Sequence, residues 1–304
     1  MKIAGFTIIR NAIKFDYPVV EAITSILPIC DEFVVAVGNS DDETLQLIKN
    51  INSPKLKIIE TIWDDHLREG GQVLAIETNK AFDAISTDVD WCFYIQSDEC
   101  VHEQDLPIIK EAMRLYKDDV AVDGLLFNYH HFYGSYDFVG NSMDWYRKEI
   151  RVIKNNKNIR SYKDAQGFRK INTTSRTLSG AEVKVATNKL LVKQIDASIY
   201  HYGWVKPPKA QQEKQKQFHK MWHSDEWVNN HVSEGDEFDY SAINDLNRFT
   251  GSHPKVMQPR IDEVNWAFTF NEKKIKRSLK NSLKHLVEKL TGWRMGEYKN
   301  YKLV

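Results

Sequence analysis

Four times within the first hundred residues a short apolar run gives way to a helical pattern, and this alternation restricts the fold more than anything else in the chain. Residues 3–9, 33–37, 56–62 and 91–95 read as strands, since short apolar runs between polar breaks are the mark of strands covered on both faces. Behind Pro18, residues 18–27 carry Val19, Ile23, Ile26 and Leu27 on one helical face. Ser40-Asp41-Asp42-Glu43 has a capping-box pattern and opens a helix through Leu45, Leu47 and Ile48. Gly70 and Gly71 precede a helix over 72–85. Such an order predicts a parallel sheet with right-handed crossovers.

After about residue 120 the rhythm changes. Residues 124–133 and 148–153 predict strands, 154–180 is polar and reads as loop, and 183–192 and 195–205 predict two more strands. Pro207 and Pro208 open a helix through Phe218, Met221 and Trp222. A parallel first half followed by a mixed second half predicts a nucleotide-binding part (1–120) joined to an acceptor-binding part (121–232). With 304 residues the chain suits one large domain carrying an appendage, here a mostly helical C-terminal extension over 233–304. Lys plus Arg and Asp plus Glu both number 42, so no net charge draws the chain to nucleic acid. Its three cysteines are Cys30, Cys92 and Cys100, with no Cys-x-x-Cys pair. They argue for a reducing compartment and against a disulfide framework or structural zinc site. No signal peptide and no membrane span is legible, so the expectation is a soluble cytoplasmic protein.

The fourth apolar run ends abruptly in Gln96-Ser97-Asp98-Glu99. Carboxylates at the carboxyl end of a parallel strand lie where open α/β sheets bind ligands, and two adjacent acids would hold a hard cation. The same residues would equally cap the helix that begins near Leu106, and spacing does not separate the two readings.

The order of these parts resembles the GT-A-fold glycosyltransferases of family 2. The resemblance spans roughly residues 1–230. It rests on Ile8-Ile9-Arg10-Asn11, Asn39-Ser40-Asp41-Asp42-Glu43-Thr44, Glu77-Thr78-Asn79, Gln96-Ser97-Asp98-Glu99 and Ile199-Tyr200-His201-Tyr202-Gly203-Trp204. It implies a Rossmann-like mixed sheet flanked by helices. The implied activity is inverting transfer of a sugar from a nucleotide-diphosphate donor to a glycan or lipid-linked acceptor. Three positions depart from the family pattern. Val37 and Gly38 stand where two aspartates are usual, Glu77-Thr78-Asn79 replaces Ala-Arg-Asn, and Gln96 replaces the first acid of Asp-x-Asp. A nucleotidyltransferase and a catalytically inactive binding protein on the same fold are the alternatives. Against the former, no glycine-rich, Lys/Arg-bearing loop follows the first strand.

By this resemblance a Mg²⁺ or Mn²⁺ ion would neutralise the leaving diphosphate, with Asp98 and His201 as its ligands. Donor-binding roles fall to Arg10, Asn11, Asn39, Asp42, Asn79, Gln96 and Glu99. Glu99 would serve as a second ligand or bind sugar hydroxyls. The competing explanation is helix capping for Asp42, a surface position for Arg10, and aromatic packing for His201. An inverting enzyme also needs a carboxylate to take the acceptor proton, and Asp164, with Glu182 behind it, is the candidate. Solvated loop acid is the competing reading for Asp164. Beyond residue 272, Ile275, Leu279, Leu283, Leu286, Val287 and Leu290 recur at helical spacing among lysines. This basic amphipathic helix would either dock on the domain or lie on the inner face of an anionic membrane.

Overall fold

The structure, a computed structural model, describes residues 1–67, 70–171, 187–232, 235–243, 245–271 and 279–304. Strands β1 (Ile3–Ile9), β2 (Glu32–Gly38), β3 (Leu56–Thr61) and β4 (Trp91–Tyr94) alternate with helices α1 (Val19–Ile26), α2 (Thr44–Lys49) and α3 (Gln72–Asp83). All four strands run parallel, in the order β3-β2-β1-β4. Successive side chains feed two cores, as a sheet covered on both faces requires. Phe33, Val35, Trp91 and Phe93 pack toward α1 and the later helix α4, whereas Phe6, Val34, Ala36 and Tyr94 pack toward α3. The predicted parallel half is present.

Beyond β4 come β5 (Glu99–Val101), α4 (Leu106–Leu115), β6 (Gly124–Tyr133), β7 (Ser135–Gly140) and β8 (Lys148–Lys154). They are followed by β9 (Ile159–Tyr162), β10 (Gly167–Ile171), β11 (Thr187–Trp204), α5 (Pro208–Lys220) and α6 (Asp225–His231). The chain ends in β12 (Leu246–Arg248), α7 (Gln258–Asp262), α8 (Leu279–Thr291) and β13 (Tyr301–Leu303). The main sheet continues past β4 through β8, β6, β11, β10 and β9, with β4–β8, β8–β6, β11–β10 and β10–β9 antiparallel. The whole is a mixed α/β architecture, a large mixed sheet flanked by helices.

Two sequence expectations are corrected. Residues 159–171 are not loop but the β9–β10 hairpin, in which Ile159, Ser161 and Phe168 turn inward between polar neighbours. Their period of two was hidden by a polar average composition. Residues 187–204 form one strand where two were expected. Lys193 and Gln194 interrupt the apolar run, but β11 passes them and absorbs the irregularity as a register shift between Gln194 and Ser198. The extension past 233 also enters the sheet, since β12 pairs with β7 and β13 with β11.

Helix α8 docks by its polar side. His285 lies 3.4 Å from Asp245, and Glu288 is 3.8 Å from Arg147 and 3.7 Å from Arg294. Leu283, Leu286 and Leu290 are left 59%, 53% and 74% exposed. No helix among the described residues is long and apolar enough to cross a membrane.

Glu149 on β8 is buried beneath the hairpin, accepting from the Ile150 amide at 2.8 Å and from Asn300 at 3.1 Å. Burial pushes its carboxyl up from 4.5 to about 7 against the pull of Arg151. The folded state therefore holds this proton between those values, and the associated stability is complete below pH 4.5 and lost as pH rises through 7. Glu149→Gln, a mimic of the protonated form, is expected to leave stability unchanged near pH 4.5 and to raise it by about 3 kcal/mol at pH 8. Urea denaturation at the two pH values checks this, and an equal effect at both would refute the assignment.

Candidate active site

A cavity of about 510 Å³ opens at the carboxyl ends of β1 and β4. Ligands collect at that edge because the parallel strands end there and the connecting loops diverge. Ile8, Ile9, Arg10 and Asn11 line it from β1, and Gln96, Ser97 and Asp98 from the turn after β4. Asp164 lies on the wall supplied by the β9–β10 turn, and Lys214 and Phe218 on the wall supplied by α5. Sequence reasoning expected most of the first group and Asp164. It missed Lys214, which no local pattern sets apart from the other lysines of this polar helix.

Asp98 is the centre of the floor. Its backbone carbonyl accepts from the Tyr202 amide at 2.8 Å, which ties the turn to β11. Its Oδ2 accepts from Lys214 Nζ at 3.1 Å, and Oδ1 lies 3.7 Å from His201 Nε2. The Asp98 and Lys214 side chains are only 11% and 12% exposed. Burial opposes the charged form of Asp98, but the neighbouring cations, Lys214 first, outweigh it and hold the carboxyl well below the usual range. Behind them Lys206 is pushed down to about 7 by burial and by the neighbouring Lys214. Both ammonium groups approach the ring of Tyr17, Lys206 Nζ at 4.6 Å from its centre and Lys214 Nζ at 5.1 Å.

His201 reaches the floor because its register on β11 pairs it with Glu99 on one side and His131 on the other. His131 Nε2 stands 2.8 Å from the Tyr146 carbonyl, which only accepts, so that nitrogen carries the proton. Burial keeps His131 neutral, with a pKa well below 6.5, and its Nδ1 must then accept from His201 Nδ1 at 3.3 Å. Burial likewise lowers His201. The chain of bonds thus leaves His201 Nε2 with a lone pair on the side of Asp98.

The remaining expected residues divide into two sets. Arg10 lines the cavity, donates to the Asn39 carbonyl at 2.8 Å and pairs with Asp65, with Trp63 5.9 Å away. Asn11, at φ 56°, lines the cavity while its Oδ1 accepts from the Asp41 amide at 2.7 Å. Gln96 lines it too, its Nε2 donating to the Ala165 carbonyl at 3.3 Å. Asn39, Asp42, Asn79 and Glu99 are not brought to the cavity. Asn39 accepts from the Trp63 amide at 3.0 Å, and Asp42 accepts from the Thr44 amide at 3.0 Å and caps α2. Asn79 exchanges two bonds with the Ser161 backbone, locking α3 to β9. Glu99 is fully buried, held by both Nε and Nη2 of Arg151 at 2.8 Å and by the Tyr129 hydroxyl at 2.6 Å. Glu182 lies outside the described residues. At the end of β2, the place of the absent aspartates is taken by an indole: a Cβ on Gly38 would stand 2.3 Å from Trp63 Nε1.

The expected divalent ion meets an ammonium. Asp98 and His201 would supply two ligands, Glu99 is committed to Arg151, and no cluster of three His, Cys, Asp or Glu side chains suited to a metal occurs among the described residues. At an effective dielectric of 20, a dication about 4 Å from Lys214 Nζ would be repelled by about 8 kcal/mol, which offsets what the one carboxylate, Asp98, would contribute at the same distance. With Lys214 on Asp98, this donor set does not fit a divalent ion.

No protein-family model matches the chain, and no curated protein does. Among solved structures, S. aureus TarS is similar at 14% identity and a TM-score of 0.37, over 71% of this chain and 39% of TarS. A 4-diphosphocytidyl-2C-methyl-D-erythritol synthase from Anaerococcus prevotii is similar at 11% identity and TM-score 0.32, over 51% of this chain and 70% of that one. Glucosyl-3-phosphoglycerate synthase from Mycobacterium tuberculosis, solved with Mn²⁺, uridine diphosphate and phosphoglyceric acid, is similar at 16% identity and TM-score 0.30, over 43% of each chain.

Close approach at the floor depends on Gly203, where a Cβ would stand 2.7 Å from both Asp98 Oδ2 and His201 Nε2. Gly203→Ala is expected to cost about 1–3 kcal/mol in urea denaturation, because a buried floor closes around the missing atom. An unchanged midpoint would mean that Asp98 and His201 move apart freely.

Proposed function

We propose that the chain is a glycosyltransferase that moves a sugar from a nucleotide-diphosphate donor to an acceptor hydroxyl. The observation that carries this reading is the pairing of Asp98 and Lys214 at the strand-end edge of the cavity with a second acid, Asp164, on the wall contributed by the other half of the sheet. In this reading the base lies toward Trp63 and Arg10, and the diphosphate rests above Asp98 and Lys214. Asp164 takes the proton from the acceptor hydroxyl as its oxygen bonds the anomeric carbon. The bond from that carbon to the diphosphate breaks with its electron pair on the phosphate oxygen. The configuration inverts, since attack and departure are on opposite sides. The acceptor is a glycan or a lipid-linked sugar, in keeping with the aromatic wall of Tyr146 and Trp204. A nucleotidyltransferase would need cationic grip on a triphosphate from the segment after β1, where Arg10 is already paired with Asp65.

Calorimetry with a panel of nucleoside diphosphates is expected to find one that binds, and binding of none would reject the reading. Once a donor is known, Asp164→Asn is expected to lower kcat by about 10²–10⁴-fold while KM for the nucleotide sugar stays within about threefold. A product of retained configuration would reject Asp164 as the base of an inverting reaction.

The reading extends to peripheral contact with an anionic membrane through α8. Its leucine stripe is opposite the side that carries His285 and Glu288, and Lys280 and Lys289 flank it. Vesicles rich in phosphatidylglycerol are expected to bind the chain in a salt-sensitive manner. Replacing Leu283, Leu286 and Leu290 together by Ser should weaken that binding by about tenfold or more, as three exposed side chains lose their burial in lipid. Equal binding by the variant would rule the contact out.

A further inference from the structure

Resting on the glycosyltransferase reading, we infer that Lys214 is the resident cation of the donor site, so that diphosphate binding and departure do not require a divalent metal. Four observations lead there. First, Lys214 Nζ occupies the space beside Asp98 Oδ2 at 3.1 Å and is fixed from a second direction by the Gly203 carbonyl at 2.9 Å. Second, an ammonium has three protons, and these two acceptors use two of them, leaving one for a group bound in the cavity that Lys214 lines. Third, the carboxylate next in sequence is withdrawn: Glu99 is spent on Arg151 and Tyr129 beneath the floor. Gln96 brings no charge, so Asp98 and Asp164 are the carboxylates among the residues lining the cavity. Fourth, the lysine is braced. It rises from α5 with its side chain only 12% exposed, its ammonium 5.1 Å from the centre of the Tyr17 ring, which Lys206 also approaches, at 4.6 Å.

A charge held in this way needs no reorganisation when the diphosphate arrives or leaves. During transfer the anomeric carbon–oxygen bond breaks, the electron pair stays on the phosphate oxygen, and the Lys214 ammonium donates a hydrogen bond to it without giving up its proton. Asp98 aims the ammonium and acts as a positioning residue.

The test is calorimetric titration of the whole chain with a panel of nucleoside diphosphates, in EDTA and again in Mn²⁺. The diphosphate that binds is expected to do so with affinities within about threefold in the two buffers. Lys214→Met should weaken it by about tenfold or more in EDTA, and Lys214→Arg should restore most of the loss. Since Lys214→Met leaves Asp98 buried and unpaired, the charge-balanced pair Asp98→Asn with Lys214→Met serves as the folded counterpart, and its binding should be as weak. Binding seen only with Mn²⁺ would overturn the inference and leave the glycosyltransferase reading standing. So would undiminished binding by the charge-balanced pair. Binding in neither buffer by the unaltered chain would remove that reading, and the inference with it.

Discussion

The ion pair between Glu99 and Arg151, both fully buried, is the constraint on which the rest of this molecule depends. Removing two charges from water is expensive, and the expense is offset only where every lone pair and proton finds a partner. Here Glu99 accepts from two guanidinium nitrogens, the Tyr129 hydroxyl and the Gln96 amide. Arg151 gives its two Nη1 protons to the Ile150 and Gln166 carbonyls, and its guanidinium lies 5.4 Å from the ring centre of Tyr94 and 5.3 Å from that of Tyr129. One carboxylate thus joins β5, β6, β8 and the turn after β4. Asp98 sits in that turn, which the Glu99 amide closes on the Gln96 carbonyl at 3.1 Å, so anchoring Glu99 in the interior fixes the turn that presents Asp98 to the cavity.

That geometry gives the two adjacent acids different work. Asp98 meets a lysine, a histidine and the cavity, whereas Glu99 meets only the interior. The floor is a closed set of charges: one carboxylate, one ammonium in contact with it, and an imidazole whose proton is directed away by His131. Whatever binds above it meets charges already paired and rigid in position, so none of them has to be rearranged on binding.

How much of this was legible in the sequence depended on whether the deciding partner was near or far along the chain. The four parallel strands and their helices could be read because each carries its own apolar period. The strand-end position of Arg10, Asn11, Gln96 and Asp98 followed from that order. The sequence put Asp98 first as a ligand but kept Glu99 in the donor site, because the partner that withdraws Glu99, Arg151, lies fifty-two positions on. Asn79 looked like part of a donor motif, but its amide is used by the backbone of Ser161, a partner in a hairpin whose polar composition concealed it. Lys214 is an ordinary lysine on a polar helix until the helix is set against the floor. Its significance comes from packing, which local pattern does not encode.

Strand β11 has a consequence of another kind. Along Thr187–Trp204 it pairs with β13, β6, β10 and β5, and His201 sits at the one phase that brings its ring beside Asp98. A gain or loss of one residue upstream of Ser198 could be absorbed where the register already slips. Between Ser198 and His201, which keep one register on β6, it could not, because the next residue on either side of the histidine, Tyr200 or Tyr202, belongs to the aromatic layer beneath. Length variation in this chain's relatives should therefore be permitted before Ser198 and forbidden in the few residues that lead from it to His201. For these few residues spacing, more than identity, is what descent has to preserve.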